Sequence, residues 1–339
     1  MKAAVFKGKE SITIEDGFEK PNLESDEVLI KVKKVGICGS DVGSYESGGP
    51  YFPGKIIGHE FSGDIVEVGD NVKKIKVGTR VTVNPLIPCR ECYYCLHNLE
   101  NMCKIKNNGY GITDHGAMRE FVSVKAERVH ILPDNVSYDE GASVEPLSVA
   151  VYAVDQSGFR LGQDAVVIGA GPIGLYVIQV LKAAGANRIY VLEPVESKQI
   201  IASSLGADKV FLPKQWNKVV RKLDKLGPDH VYDCVGLSET FTTALNMVKN
   251  GGLITLIGMH SSKFEIENIL MMTTNNISVR GVYGYNQDTF KKAINLFTQK
   301  KIIIDPILTK RIRLEQVPEV FEILGHPPHE ELKIIVEFN

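Results

Sequence analysis

Between Asp164 and Gly284 the chain switches its hydrophobic period again and again, and this alternation limits its possible folds more than any other feature. DAVVIG (164–169) is a short apolar run rich in β-branched residues, and GPIGLYVIQVLKAAG (171–185) is apolar at helical spacing and stops at Gly185. RIYVLE, VESKQIIASSLGA, KVFL, HVYDCVG, SETFTTALNMVKNGG, LITLIG and ISVRGVYG continue the series to residue 284. Strands covered on both faces read as continuous apolar runs, and repeated strand–helix units close into a parallel, doubly wound sheet. The spacing therefore predicts an α/β domain here.

The first strand of that series runs into Gly169, Ala170, Gly171, Pro172, Ile173 and Gly174, which open the first helix. Strand, glycine loop and helix in that order form a dinucleotide site. Gly169 permits the tight turn, Gly171 lets a pyrophosphate approach the backbone, and Gly174 lets helix pack on strand. The helix N-terminus offers free N–H groups to the phosphates. Glu193 closes the next strand, 19 residues past Gly174. A carboxylate there accepts from ribose hydroxyls and repels a 2′-phosphate, which favours NAD over NADP. Lys198 is the counter-candidate, able to contact a ribose or meet a phosphate.

The first half reads differently. VLIKVKKVGIC (28–38), DIVEVG (64–69), GTRVTV (78–83) and FVSVKAERVHILP (121–133) are short strand patterns between Gly-rich turns, as in a small β-barrel. Within them KVKK (31–34) reads as a solvated strand edge. EPLSVAVYAVDQSG (145–158) reads as a helix. QDTFKKAINLFTQKK (287–301) is another helix, followed by a tail too short for a domain of its own, expected to fold back on the first one. The expected organisation is a β-barrel domain over 1–150, a dinucleotide domain over 151–286, and a linking helix and tail over 287–339.

Four of six cysteines fall in PCRECYYCLHNLENMC, at Cys89, Cys92, Cys95 and Cys103. Four thiolates close a tetrahedral zinc site and leave no position for a substrate, so this site is structural. An iron–sulfur centre or a redox switch uses similar spacing. Cys38, His59, Glu60 and Glu145 form a second candidate set. A site with three protein ligands of these types keeps one position for water or substrate.

Taken in order, GICGSD, GHEFSG, CRECYYC with its distant Cys103, VEPLSVA and GAGPIG resemble the zinc-containing medium-chain alcohol dehydrogenase superfamily, over nearly the whole chain. Glu145 stands where the alcohol dehydrogenases proper carry a second cysteine, which is similar to the polyol, butanediol and threonine dehydrogenase branch. The resemblance implies a GroES-like catalytic β-barrel and a Rossmann domain, two zinc ions per chain and NAD. It implies a catalytic zinc held by Cys38 and His59, with Glu60 or Glu145 as third ligand. Ser40 matches the hydroxyl that takes the alcohol proton. Ile257 and the segment Tyr283–Tyr285 flank the nicotinamide. The implied reaction passes hydride from a secondary alcohol or polyol to NAD and gives the ketone, in a homo-oligomer, a tetramer. L-threonine and sugar-alcohol phosphates are alternative substrates, with Arg119 and Lys125 as candidate phosphate partners. A zinc-free quinone oxidoreductase or a non-catalytic NAD-binding module is the alternative of another class.

Two departures bear on the chemistry. The family often has His where this chain has Gly43, three residues after the relay hydroxyl, so the relay must end elsewhere. Sorbitol dehydrogenases commonly carry Phe-Arg-Tyr in place of Tyr283-Gly284-Tyr285, and loss of that Arg puts sorbitol in doubt. Pocket shape is expected to come from the 40–60, 105–118 and 283–285 segments.

Charge removes other classes. The 39 basic and 41 acidic residues give a net charge of −2, without the concentrated basic face that nucleic acid or an anionic membrane requires. No apolar run reaches about 18 residues, and the N-terminus lacks the apolar stretch of a secretory signal. A cytoplasmic location is expected, where clustered thiols stay reduced.

Overall fold

The computed structural model describes residues 1–339 apart from 50, 106–108, 260–264, 267 and 327–328. Parts of the 40–60 and 105–118 segments expected to shape a pocket therefore lie outside the described residues. Two compact units divide the chain. One comprises Met1–Pro146, Tyr285–Lys300 and Ile304–Asn339, the other Leu147–Gly284 and Lys301–Ile303. Lys301–Ile303 joins the second unit because Gln179 clamps Ile303, donating to its carbonyl at 3.1 Å and accepting from its N–H at 2.7 Å.

The first unit opens with a hairpin, β1 (Ala3–Gly8) and β2 (Ser11–Glu15). β3 (Glu27–Gly36), β4 (Glu60–Val68), β5 (Arg80–Val83), β6 (Phe121–Lys125) and β7 (Val129–Ile131) follow, all pairing antiparallel. The second unit is a six-stranded parallel sheet made of β8 (Asp164–Ile168), β9 (Arg188–Leu192), β10 (Lys209–Phe211), β11 (His230–Asp233), β12 (Leu253–Leu256) and β13 (Ser278–Gly281). Its spatial order is β10-β9-β8-β11-β12-β13. The chain starts at β8, builds outward to one side, then crosses over to the other. The loop after β8 is thus the topological switch point, where such sheets bind ligands. This is the α/β architecture the alternating pattern predicts.

The tail contributes β14 (Leu308–Arg313) and β15 (Lys333–Glu337) to the first unit. β15 pairs antiparallel with β3, placing Ile335 opposite Gly36. This overturns the edge reading of KVKK. β3 is flanked by β4 on one side and by β15 and β6 on the other. Its lysines are half-buried, and Lys34 is ion-paired with Glu337 and, at 3.8 Å, with Asp139. The partner strand lies some 300 residues away in sequence, so no local pattern shows it.

The helix read from Glu145 begins at Tyr138 and runs to Ser157, with Pro146 inside it. Its start is set by Ser137, whose hydroxyl accepts from the Glu140 N–H at 3.1 Å while Glu140 accepts from the Ser137 N–H at 2.6 Å. SYDE is a capping box upstream of Glu145, the residue from which the helix is expected to start.

Candidate active site

The antiparallel register of β3 and β4 builds a candidate metal cluster. Gly36 ends β3 opposite Glu60, the first residue of β4. Two residues beyond Gly36 comes Cys38, just ahead of the helix Gly39–Ser47, while His59 immediately precedes β4. One ligand atom each from Cys38, His59 and Glu60 lies within 4.8 Å of the others. Gly36 makes room for this: a Cβ there would stand 2.1 Å from a Glu60 carboxylate oxygen.

Glu60 is fully buried and is held by Lys333, itself 4 % exposed. The Lys333 ammonium donates to both carboxylate oxygens, at 2.9 and 2.7 Å, and to the Ile37 carbonyl at 2.9 Å. Register again explains the contact, because β15 pairs with β3 next to Cys38. Glu145 is not part of the three-residue group. Its carboxylate accepts from the Tyr285 hydroxyl at 2.9 Å. Burial pushes the Glu145 carboxyl up to about 7, with the Glu60 charge adding to the effect and His59 opposing it.

Asp41 orients the cluster. One carboxylate oxygen accepts from the Cys38 N–H at 2.9 Å, and the other accepts from the Tyr51 hydroxyl at 2.8 Å and lies 3.4 Å from His59 Nδ1. Burial disfavours charge on His59, but the Asp41 and Cys38 anions outweigh it and hold the imidazole well above its ordinary range. Sulfur, nitrogen and carboxylate donors within reach of one another are a donor set that suits zinc. Ser40 is exposed, with its hydroxyl 3.3 Å from both Cys38 Sγ and the Tyr51 hydroxyl.

In the second cluster the thiols of Cys89, Cys92, Cys95 and Cys103 lie within 4.8 Å of one another. Cys92 and Cys95 sulfurs are 3.5 Å apart, Cys89 and Cys95 sulfurs 3.9 Å, and all four cysteines are free thiols. Zinc–sulfur bonds of about 2.3 Å in a tetrahedron place sulfurs about 3.8 Å apart, so the cage already has the size of a zinc site. Backbone N–H groups of Cys95 and Lys104 pull the Cys92 thiol down to about 6. Asn98 ties the loop to the helix Gln287–Thr298, donating to Asp288 at 2.7 Å.

The glycine loop of the second unit has the shape its sequence implies. Gly169 adopts φ +90, and a Cβ on Gly174 would stand 2.0 Å from the Gly169 carbonyl oxygen. A Cβ on Gly171 would meet nothing within 4 Å, which leaves an open cradle beside the helix Pro172–Ala183. Pro172 and Ile173 form the first turn of that helix. Glu193 is buried and accepts from the Ala170 and Val195 N–H groups at 2.7 and 2.9 Å, so it also pins the loop to the next helix. Lys198 lies half-buried on that helix. Ile257 follows β12 and is buried, whereas Tyr283 is exposed.

Asp41, Tyr51, Lys333 and the Tyr285–Glu145 bond were missed from sequence. Asp41 carried a signal, an acid three residues after a helix cap. The others are brought in by pairing and packing over long separations.

Comparison with known proteins agrees with this geometry. Residues 24–134 match the alcohol dehydrogenase GroES-like domain family, and residues 172–299 the zinc-binding dehydrogenase family. The chain is 36% identical over 336 residues to the (R,R)-butanediol dehydrogenase of Bacillus subtilis (strain 168), covering 94% of each. It is 34% identical over 330 residues to the D-arabitol-phosphate dehydrogenase of Enterococcus avium, covering 94% of this chain and 92% of that one. Its fold is similar to that of a protein from Sinorhizobium meliloti 1021 described as a zinc-binding dehydrogenase and solved with NADP, at TM-score 0.91 and 29% identity over 99% of both chains. The chain belongs to the zinc-containing medium-chain dehydrogenase superfamily, with a GroES-like domain and a Rossmann domain, and is an oxidoreductase.

Proposed function

We propose that this chain oxidises a secondary alcohol or polyol to the ketone with NAD as hydride acceptor, the first unit holding the substrate and the second the cofactor. The observation that carries the reading is the Cys38–His59–Glu60 cluster, with His59 and Glu60 buried and an exposed serine hydroxyl 3.3 Å from the Cys38 thiol. When bound there, zinc supplies Lewis acidity that eases loss of the alcohol proton. Cys38, His59 and Glu60 would hold the ion, and Glu145, bonded to Tyr285 and outside that group, would act on it indirectly. Asp41 fixes the His59 ring. Ser40 accepts from the alcohol hydroxyl and takes its proton, giving up its own to solvent as the exposed hydroxyl turns outward.

In the second unit Gly169, Gly171, Pro172, Ile173 and Gly174 cradle the pyrophosphate, Glu193 selects ribose hydroxyls over a 2′-phosphate, and Ile257 and Tyr283 border the nicotinamide. Lys198 is the residue that would meet a 2′-phosphate if NADP were accepted. Cys89, Cys92, Cys95 and Cys103 would hold the structural zinc.

Among substrates, the butanediol and arabitol-phosphate relatives set the range. Lys125 is engaged by Asp26 and Glu27 at 2.9 and 3.3 Å, which weakens it as a phosphate partner. Arg119 keeps the phosphate reading open, since it is buried and, among the described residues, pairs with no carboxylate. We assign a homotetramer and a cytoplasmic location. The first rests on β13, the edge strand that could extend the sheet across a two-fold axis. The second rests on six free thiols; no helix of the described residues is long and apolar enough to cross a membrane.

Initial rates with 2,3-butanediol, xylitol, sorbitol, inositol, threonine, galactitol 1-phosphate and simple secondary alcohols, each with NAD and NADP, test the reading. One substrate should stand out with NAD, and Cys38→Ser should abolish its turnover while NAD still binds. Full turnover by Cys38→Ser would remove the metal-centred reading.

A further inference from the structure

We propose that Tyr51 is a positioning residue for Ser40, supplying the constraint on the relay hydroxyl that Gly43 cannot. The inference rests on the role assigned above to Ser40. Tyr51 is 5 % exposed, and its ring packs edge-on against Phe6 with centroids 6.2 Å apart. Its hydroxyl has a single proton, and the Asp41 carboxylate, an acceptor only, takes it at 2.8 Å. Toward Ser40, 3.3 Å away, the Tyr51 oxygen is therefore an acceptor. Tyr51 thus competes with Cys38 Sγ, also at 3.3 Å, for the Ser40 proton, and with that proton held on Tyr51 the Ser40 lone pairs face outward, where an alcohol hydroxyl can donate to them.

Without Tyr51 the Ser40 hydroxyl has the Cys38 thiol as its remaining acceptor, also at 3.3 Å. It would then turn about its side-chain bond and take a hydrogen bond from a group meant to serve the metal. Asp41 holds Tyr51 in place, and the same carboxylate holds His59. One buried acid thereby aligns both the imidazole and, through Tyr51, the serine. In sequence the tyrosine is 11 residues from the serine and carries no mark of the role.

Tyr51→Phe keeps the ring packing and removes the hydroxyl, so the fold should survive. The test compares wild type, Tyr51→Phe, Ser40→Ala and the double variant, each checked for two bound zinc ions and for its melting temperature. Tyr51→Phe should lower kcat about tenfold, the value of one oriented hydrogen bond, with KM within about twofold. In the Ser40→Ala background the same change should have no further effect, because Tyr51 acts through Ser40. Equal losses in both backgrounds would overturn the inference in favour of an effect through His59. An unchanged Tyr51→Phe beside an impaired Ser40→Ala would overturn the inference alone. An unchanged Ser40→Ala would overturn the role of Ser40 and the inference together.

Discussion

Replacing Lys333 by Met should destabilise the first unit severely, and zinc should repair much of the damage. Lys333 is 4 % exposed and Glu60 fully buried, and the ammonium donates to both carboxylate oxygens. Removing one partner of a buried pair leaves an uncompensated charge and costs about 3–5 kcal/mol. For a unit of this size each kcal/mol moves the melting temperature by about 2–4 °C, so metal-stripped Lys333→Met should melt about 6–20 °C lower than stripped wild type. Zinc at Cys38, His59 and Glu60 places a cation beside the same carboxylate, so the gap should narrow once zinc is restored. The double variant Lys333→Met/Glu60→Gln buries no charge and should recover most of the loss in the stripped protein. Far-ultraviolet circular dichroism is the appropriate probe, because the chain's one tryptophan, Trp216, lies in the second unit. A stripped Lys333→Met within about 1 °C of wild type would refute the argument, since even exposed ion pairs are worth up to about 1 kcal/mol.

Gly171→Ala should leave the melting temperature unchanged, because its Cβ meets no protein atom within 4 Å and its φ of −71 suits any residue. NAD binding should weaken about tenfold or more, as the methyl fills the pyrophosphate approach; titration calorimetry showing wild-type affinity would contradict the cradle. Cys92→Ser should leave one tightly held zinc ion instead of two in metal analysis after desalting, and two retained ions would remove the four-thiol assignment. His130 is pushed down to about 4, chiefly by burial, with Arg128 and Lys291 adding to the effect. Its neutral form stabilises the fold above the unfolded value of about 6.5, and that contribution is lost as pH falls toward 4, up to about 3 kcal/mol. His130→Gln should flatten this acid limb in urea unfolding between pH 7 and 4, and an unchanged slope would show that other groups carry it.

Features that act over short separations were legible in the residues alone. The period of DAVVIG and its successors specified parallel strands and crossing helices. Gly169, Gly171 and Gly174 specified the loop, because a turn, an approach and a packing contact each demand a missing Cβ. Cys89, Cys92, Cys95 and Cys103 lie within 15 residues, so chain geometry alone brings them together. The Cys38–His59–Glu60 cluster was half legible: His59 and Glu60 are adjacent, but their meeting with Cys38 depends on the register that sets Gly36 opposite Glu60. Tertiary structure decided what surrounds them. Lys333 reaches Glu60 because β15 pairs with β3, and Tyr285 reaches Glu145 across 140 residues of chain. A strand pattern records which face is apolar but not which strand will lie beside it, and so the ammonium that holds Glu60 and the phenol that holds Glu145 appear only once the chain is folded.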